Sequence, residues 1–262
     1  MNKTGQNIRS GSNLLSIYIT SDYPEKGDTT ELILALQAAG VDMIEVGIPY
    51  SDPLADGPVI QESSQKALAN GFSVSGLFED LLSIKSKVHI PLIPMGYFNT
   101  MLRFGLERFL NKCQSLDIDT VIIPDLPLDL YETQYAALFR EKGVHPVFLI
   151  SPETSTERIR RIDDLSEAFI YVVADNSITG SKSGISKSQL EYFERIKKME
   201  LKNPTIIGFG ISDNASFTNA CQYANGAIIG SAFIRSLSAE GFTNEHVKHF
   251  IDGIHTSAKI TS

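Results

Sequence analysis

Short apolar runs alternate with longer amphipathic stretches along nearly the whole chain. The short runs predict strands, because each is three to seven residues long and most are rich in Ile, Val and Leu. Many of them are consecutive rather than alternating apolar residues, a pattern typical of parallel strands covered on both faces. The expected strands are Leu14–Thr20, Asp42–Gly47, Pro91–Met95, Thr120–Ile123, Pro146–Ile150, Ala168–Val173, Thr205–Gly208 and Ala227–Ile229.

The amphipathic stretches between the strands have the 3.6-residue spacing of α-helices. They predict helices at Thr29–Ala39, Ile60–Asn70, Val74–Ser86, Phe104–Ser115, Leu128–Lys142, Thr156–Leu165, Lys187–Met199, Asn214–Tyr223, Ala232–Leu237 and Glu245–Thr256. Strand–helix units repeated across 262 residues indicate one (β/α)8 barrel domain spanning residues 1–262, with extra helices. An open doubly wound sheet is the main alternative, but no G-x-G-x-x-G follows the first strand, which argues against a dinucleotide-binding form.

The composition limits the partners and the compartment. A formal net charge of −8 argues against nucleic acid, whose recognition needs clustered Lys and Arg. The two cysteines, Cys113 and Cys221, lie in no metal or redox spacing and suggest a reducing compartment. The polar start, Met1 to Ser12, lacks the apolar segment of a signal peptide, and no apolar run approaches a membrane span. We therefore expect a cytoplasmic protein that binds neither membrane nor metal.

Glycines follow the last two predicted strands. The seventh strand runs into Gly208-Phe209-Gly210-Ile211-Ser212, and the eighth into Gly230-Ser231. A backbone without Cβ atoms lets N–H groups approach an anion, and the next helix directs its N-terminal amides to the same point. The loops after strands seven and eight are the recurrent phosphate site of such barrels. The pair predicts a phosphorylated substrate.

Two carboxylates stand out near the end of the second strand. Glu45 falls inside an apolar strand, where a carboxylate either faces the barrel mouth or pairs with a Lys or Arg. Asp56 lies on a loop that contains Pro49, Pro53 and Pro58, which restrict its conformations. Two acids in different environments can divide acid and base roles. On spacing alone, Asp56 is also compatible with a solvated turn residue.

The segment around these acids, IEVGIPYSDPLADGP at residues 44–58, resembles the signature of the tryptophan synthase alpha chain family. Further matches are PMGYFN at 94–99, PDLP at 124–127, ITG at 178–180, GFGIS at 208–212 and AIIGSA at 227–232. The resemblance covers almost everything from Leu14 to Leu237. It implies retro-aldol cleavage of indole-3-glycerol phosphate to indole and glyceraldehyde 3-phosphate, with the indole passed to a beta chain.

The resemblance also implies roles for individual residues. Glu45 would be the general acid and base, Asp56 would hold the indole N–H and favour the indolenine tautomer, and Tyr171 would lie near the reacting centre. The implied wall of the indole pocket comprises Tyr18, Met95, Tyr97, Leu149, Thr179, Phe209 and Ile228. For the aliphatic members, ordinary barrel packing is the competing interpretation. The implied phosphate grip comprises Gly180, Gly210, Gly230 and Ser231.

By the same resemblance, this chain carries no cofactor, and the pyridoxal phosphate of the enzyme belongs to the beta chain. The partner implied is that beta chain, in an α2β2 tetramer. Its contact surface is expected around the loops after strands two and six, with contributions from Pro49, Tyr50 and Asn99. The placement rests on family analogy and not on spacing.

Two loops depart from the family pattern. After strand six the family commonly has Ser-Arg-x-Gly-Val-Thr-Gly, whereas residues 174–180 read ADNSITG, with Asp175 for Arg and Ser177 for Gly. After strand one, Ser21-Asp22-Tyr23-Pro24 replaces a Gly-Asp-Pro turn. An anion near a phosphorylated substrate is unfavourable. The alternative hypothesis is therefore a weakly active or noncatalytic alpha chain that mainly binds and activates the beta chain.

A third interpretation is another phosphate-binding barrel. A ribulose-phosphate epimerase would carry metal-binding His and Asp at the strand ends, but the five His residues lie at helix ends or before strands. An indole-glycerol-phosphate synthase would carry catalytic Lys on its strands, and the predicted strands contain none. Both patterns favour the alpha chain over these barrels.

Overall fold

Eight parallel strands close into a barrel in chain order in the computed structural model, which describes residues 2–53, 56–174, 186–208 and 210–255. Each strand pairs with its sequence neighbour, and the last pairs with the first. The strands are β1 Leu14–Thr20, β2 Met43–Gly47, β3 Leu92–Met95, β4 Thr120–Ile122, β5 His145–Ile150, β6 Ile170–Val173, β7 Thr205–Gly208 and β8 Gly226–Ile229. The predicted (β/α)8 fold class is confirmed.

Helices surround the barrel between the strands. They are α1 Lys3–Ser10, α2 Asp28–Ala38, α3 Pro58–Ala69, α4 Val74–Ile84, α5 Phe98–Phe104, α6 Leu106–Ser115, α7 Leu128–Leu130, α8 Ala136–Lys142, α9 Thr156–Leu165, α10 Lys187–Lys198, α11 Asn214–Cys221, α12 Ser231–Glu240 and α13 Asn244–His255. A π-helical turn, Tyr131–Tyr135, joins α7 to α8 within the predicted helix Leu128–Lys142. Among the described residues, none of these helices is long and apolar enough to cross a bilayer.

Most helix ends match the predictions to within two residues, because local signals set them. Ser155 begins α9 by accepting the N–H of Arg158, and Pro58 opens α3 at a position where its missing N–H is harmless. The predicted helix around Phe104–Ser115 was incomplete. The chain there forms two helices, α5 and α6, separated at Gly105, whose φ of +96° only glycine adopts readily.

The buried apolar residues form two clusters, one on each side of the strands. Alternate residues of each strand point outward to the helices, such as Ile17 and Ile44, and belong to the large outer cluster. The other residues point into the barrel, where Met43, Ile93 and Ile206 form the inner cluster. On β2 the inward positions are therefore Met43, Glu45 and Gly47, so Glu45 lies within the barrel near the carboxyl ends of the strands.

Helix α1 covers the opposite end of the barrel and was not predicted. Its Ile8 is only 2% exposed and packs into the inner cluster. The side chain of Asn2 accepts the N–H of Gly5 and donates to the carbonyl of Asp119, and Thr4 donates to the Asp119 carboxylate. The Asn225 side chain donates to the Ile8 carbonyl. These contacts join α1 to the N-terminal ends of β4 and β8.

Candidate active site

Glu45 is completely buried inside the barrel, with 0% of its surface exposed. Its Oε1 accepts a long hydrogen bond of 3.4 Å from Ser16, and its Oε2 has no hydrogen-bond partner among the described residues. Burial raises the pKa of Glu45 to about 8, and the hydrogen bond from Ser16 acts in the opposite direction. The ion pair considered as an alternative is absent from the described residues. Glu45 is thus a carboxyl group that remains protonated near neutral pH.

Asp56 is the second acid of the site and has a different environment. Tyr97 donates its hydroxyl to Asp56 Oδ2 at 2.9 Å, and the Gln61 side chain donates to the Asp56 carbonyl at 2.8 Å. Partial burial raises the pKa of Asp56, and the bond from Tyr97 lowers it. Since the Tyr97 hydroxyl bonds to the ionised carboxylate, this bond favours the charged form.

Two inward-facing tyrosines lie against glycines of the next strand. A Cβ at Gly47 on β2 would be 2.1 Å from the Tyr18 hydroxyl oxygen, and a Cβ at Gly208 on β7 would be 2.1 Å from that of Tyr171. Glycine is therefore required at both positions for these phenols to lie where they do. Burial raises the pKa of both tyrosines, so each stays a neutral phenol.

These groups surround one cavity of about 450 Å³ at the carboxyl ends of the strands. Its wall contains both acids and four of the residues predicted for the reacting centre and the indole pocket: Tyr18, Met95, Tyr171 and Ile228. Tyr97 lines a small adjoining cavity on the other side of Asp56. Leu149 is half-buried against the inner cluster and does not line the main cavity. Thr179 and Phe209 lie outside the described residues.

The same cavity reaches the glycines predicted to hold a phosphate. Gly210, Gly230 and Ser231 line it, with Gly210 at a φ of +76°. Gly230 precedes the ten-residue helix α12 and gives it no side-chain cap, so the first amides of α12 remain available to an anion. Gly180 lies outside the described residues.

Several residues of the cavity wall were not predicted from the sequence, among them Ile60, Ile211 and Arg235. Arg235 is four residues after Ser231 on α12. Residues four apart share a helix face, and helical side chains lean toward the N-terminus, so Arg235 lies on the phosphate side of the cavity. The i, i+4 spacing of Arg235 from Ser231 is the feature of the sequence that could have predicted its place beside the phosphate.

The residues predicted to contact a beta chain lie beside Asp56. The rings of Tyr50 and Tyr97 stack with their centroids 5.0 Å apart, and the exposed Asn99 donates to the Tyr50 hydroxyl at 3.3 Å. Pro49 is buried within the chain and offers little surface of its own. Among the described residues, no group of three or more His, Cys, Asp or Glu side chains is placed to hold a metal ion.

Comparison with known proteins identifies the family. The family model described as tryptophan synthase alpha chain matches residues 6–257. The tryptophan synthase alpha chain of Christiangramia forsetii is 52% identical over 93% of this chain and 95% of its own length. That of Flavobacterium johnsoniae is 53% identical over 92% and 95%.

Solved structures agree with this assignment. The tryptophan synthase A-subunit of Pyrococcus furiosus superimposes with a TM-score of 0.84 at 32% identity, covering 94% of this chain and 98% of that one. An aminoacrylate-bound tryptophan synthase from M. tuberculosis gives a TM-score of 0.84 at 27% identity over 97% and 98%. The chain therefore belongs to the tryptophan synthase alpha chain family, and its reaction is the carbon–carbon lyase reaction of that family, the cleavage of indole-3-glycerol phosphate.

Proposed function

We propose that Glu45 and Asp56 divide the proton transfers of this cleavage between them. The observation that carries the proposal is the buried Glu45 carboxyl group, whose Oε2 has no partner among the described residues, in a cavity that also contains Asp56. Desolvation keeps Glu45 protonated, whereas the Tyr97 hydroxyl supports the charged form of Asp56. One acid thus begins as a proton donor and the other as an acceptor.

The proton balance of the reaction fits this division. Glu45 protonates indole C3 while Asp56 accepts the proton of the indole nitrogen, which gives the indolenine tautomer. The ionised Glu45 then removes the proton of the adjacent glycerol hydroxyl. The bond between C3 and the glycerol carbon breaks, its electrons restore the indole ring, and Asp56 returns the proton to nitrogen. Both acids regain their starting states, and the products are indole and glyceraldehyde 3-phosphate.

The remaining cavity residues hold the two ends of the substrate. Tyr18, Met95, Tyr171 and Ile228 form the described part of the wall, with Tyr171 nearest to the reacting centre; Tyr97, Leu149, Thr179 and Phe209 complete the proposed set. The phosphate is held by backbone amides at Gly180, Gly210, Gly230 and Ser231. Arg235 adds a positive charge on the same side. These assignments are supported by the cavity lining and by the family resemblance.

The partner proposed is a tryptophan synthase beta chain in an α2β2 tetramer, which contains the pyridoxal phosphate and receives the indole. The family membership supports this, and the exposed Asn99 hydrogen-bonded to Tyr50 near the cavity is consistent with a contact there. This chain itself is proposed to need no cofactor and to act in the cytoplasm. Its net charge of −8 suits a small anion held locally better than a nucleic acid.

A noncatalytic, purely activating alpha chain is not favoured by the described residues. That alternative depends on Asp175 and Ser177, which lie outside them. Within them, both acids line one cavity, and the Glu45 environment favours proton transfer. The lyase is therefore the function we propose.

Indole release from indole-3-glycerol phosphate, with and without a beta chain, tests the proposal. Glu45→Gln should lower the turnover by about 10²–10⁴-fold, because it removes a general acid and base but retains the shape of the side chain. Glu79→Gln, on the outer surface of α4, is the matched control and should leave turnover unchanged. Equal turnover in Glu45→Gln and wild type would show that Glu45 has no catalytic role.

A further inference from the structure

Ser16 is a buried hydroxyl group in the otherwise apolar interior of the barrel. It lies on β1, opposite Met43 on β2 and Ile228 on β8, and it is 0% exposed. Both of these neighbours belong to the inner apolar cluster. A hydroxyl buried among apolar side chains costs free energy unless it is hydrogen-bonded. Packing alone would therefore favour alanine at this position, so the hydroxyl needs an explanation of its own.

The one side-chain hydrogen bond of Ser16 among the described residues is with Glu45. In the strand register Glu45 is opposite Tyr18, two residues after Ser16, so Ser16 and Glu45 are diagonal neighbours on the inner face of the barrel. The Ser16 Oγ lies 3.4 Å from Glu45 Oε1. A strong hydroxyl–oxygen hydrogen bond is about 2.7 Å long, so the contact is weak while the carboxyl group is neutral.

The charged and titratable groups around Glu45 do little to stabilise it as an anion. Tyr18 on β1 and Tyr171 on β6 are neutral phenols, because burial raises the pKa of both. Asp56 lines the same cavity and repels a second negative charge. Arg235 on α12 is exposed, so solvent screens its attraction. Among the described residues, the direct hydrogen-bond partner of the carboxyl group is Ser16.

Glu45 is charged only between its two proton transfers. It gives a proton to indole C3 and then takes one from the glycerol hydroxyl. An ionised carboxylate can only accept hydrogen bonds, so Ser16 must be the donor during that interval. Hydrogen bonds to ionised oxygens are shorter and about twice as strong as neutral ones. Catalytic hydrogen bonds that are long in a ligand-free enzyme also tighten in the reacting complex. The contact between Ser16 and Glu45 is thus placed to strengthen when the charge appears.

We propose that Ser16 is a positioning residue for Glu45, whose hydroxyl donates to the ionised Glu45 carboxylate and so stabilises the charge between the two proton transfers. The inference rests on the proposed function of the cavity. The Ser16 proton stays on its own oxygen throughout, so the proton balance of the reaction is unchanged. Ser16 is not part of the described cavity lining, and it acts through Glu45 and not on the substrate.

Ser16→Ala removes the donor and should make Glu45 a weaker acid. The alkaline side of the kcat/KM profile should move to higher pH by about one pH unit, because the lost hydrogen bond favoured the charged carboxylate. At neutral pH kcat for indole release should fall about 3- to 10-fold, since the transition state has part of that charge. The KM should change little, because Ser16 does not contact the substrate.

A direct titration of Glu45 tests the same contact without turnover. NMR of protein labelled at its glutamate carboxyl carbons follows the ionisation of Glu45 in the absence of substrate, and the signal is assigned by its loss in Glu45→Gln. The midpoint in Ser16→Ala should lie above that of the wild type by about the same interval as the kinetic profile.

Two further variants separate the hydrogen bond from packing. Ser16→Thr retains the hydroxyl but adds a methyl group to a packed interior, so it should be less stable than Ser16→Ala and yet keep the wild-type pH profile. Ser166→Ala is the control, because Ser166 is a buried serine at the end of α9 whose hydroxyl donates to the Ile162 carbonyl at 2.7 Å. It should leave the Glu45 titration and kcat unchanged. Thermal unfolding followed by circular dichroism measures the stability of each variant.

An unchanged titration of Glu45 in Ser16→Ala would overturn this inference. A loss of kcat without movement of the pH profile, or an equal loss in Ser16→Thr, would show that Ser16 contributes only packing. Either result leaves the proposed lyase intact. Failure of the wild-type protein to release indole would instead contradict the proposed function, and the titration would still show whether Ser16 stabilises the ionised carboxylate.

Discussion

Tyr171 on β6 lies with its hydroxyl against Gly208 on β7, so close that a Cβ at Gly208 would meet the phenol oxygen at 2.1 Å and its ring carbon at 2.4 Å. Tyr18 has the same relationship to Gly47 between β1 and β2. In both pairs the tyrosine reaches two residues beyond its partner in the strand register, toward the cavity. A glycine at the end of one strand thus makes room for a phenol from the strand before it.

Gly208→Ala should displace Tyr171 and lower both stability and turnover. The clash is with a buried ring that cannot move freely, so a loss of about 1–3 kcal/mol in the free energy of unfolding is expected. Urea denaturation measures it. In the Tyr171→Leu background the same substitution should be less destabilising, because the ring is gone. Additive losses in the double variant would contradict a direct clash.

Glu45→Gln should become more stable relative to wild type as the pH rises. The pKa of Glu45 is raised from 4.5 to about 8, so the folded state retains a proton that the unfolded state releases between those values. The stability of the wild type is fully present below pH 4.5, falls through this range, and levels off above about pH 8. The difference in Tm between the variant and wild type should therefore grow by about 5 °C or more from pH 5 to pH 8.

The pH profile of kcat/KM should be bell-shaped. The free enzyme needs Glu45 protonated and Asp56 ionised, so activity falls on the alkaline side near pH 8, the pKa of Glu45. On the acid side it falls at the pKa of Asp56, above the ordinary value of 3.8. Initial rates with saturating beta chain measure the profile. Activity that keeps rising above pH 9 would show that Glu45 begins as a base.

Tyr97→Phe should move the acid side of that profile to higher pH. The Tyr97 hydroxyl bonds to Asp56 Oδ2 at 2.9 Å and lowers the pKa of that carboxyl group, so its removal raises the pKa. The alkaline side, set by Glu45, should stay where it is. A profile displaced on both sides, or on neither, would refute the assignment of the acid side to Asp56. Tyr135→Phe, a partly buried tyrosine on the π-helical turn, is the control.

Arg235→Gln should raise the KM for the phosphorylated substrate a few-fold and leave kcat nearly unchanged. Arg235 is exposed at the phosphate side of the cavity, so its contribution is screened by solvent and should weaken further in 0.5 M salt. Arg160→Gln, on the exposed side of α9, removes the same charge away from the cavity and should have no effect. An increase in KM that persists unchanged at high salt would argue for a specific, buried contact.

The strands could be predicted from the sequence because both their faces are buried, which forces continuous apolar runs such as Leu14–Thr20. Helix α1 was not predicted because it buries little apolar surface. Ile8 is its main apolar contact, and side-chain hydrogen bonds hold the rest of the helix against the barrel. Helix α5 was not predicted as a separate helix, because only Gly105 separates it from α6.

For the site, the residue types at Glu45, Asp56 and the glycine loops were sufficient to place the acids and the phosphate end. The state of those acids was not predictable. Whether Glu45 has a counter-ion depends on neighbours from other strands, and only the folded barrel shows that Ser16 is its hydrogen-bond partner among the described residues. The buried contact between Thr20 and Ser63 was equally hidden, because these residues are 43 positions apart.

Helix α1 determines from which end of the barrel substrate can enter and products can leave. Ile8 fills the amino-terminal end of the barrel, and the substrate cavity lies at the opposite end, where Gly230 and Ser231 are part of its lining. Substrate must therefore enter, and both products must leave, through the carboxyl-terminal end of the barrel. An indole molecule that leaves the cavity therefore passes into solvent when this end of the barrel is uncovered, and to another protein when one is bound over it.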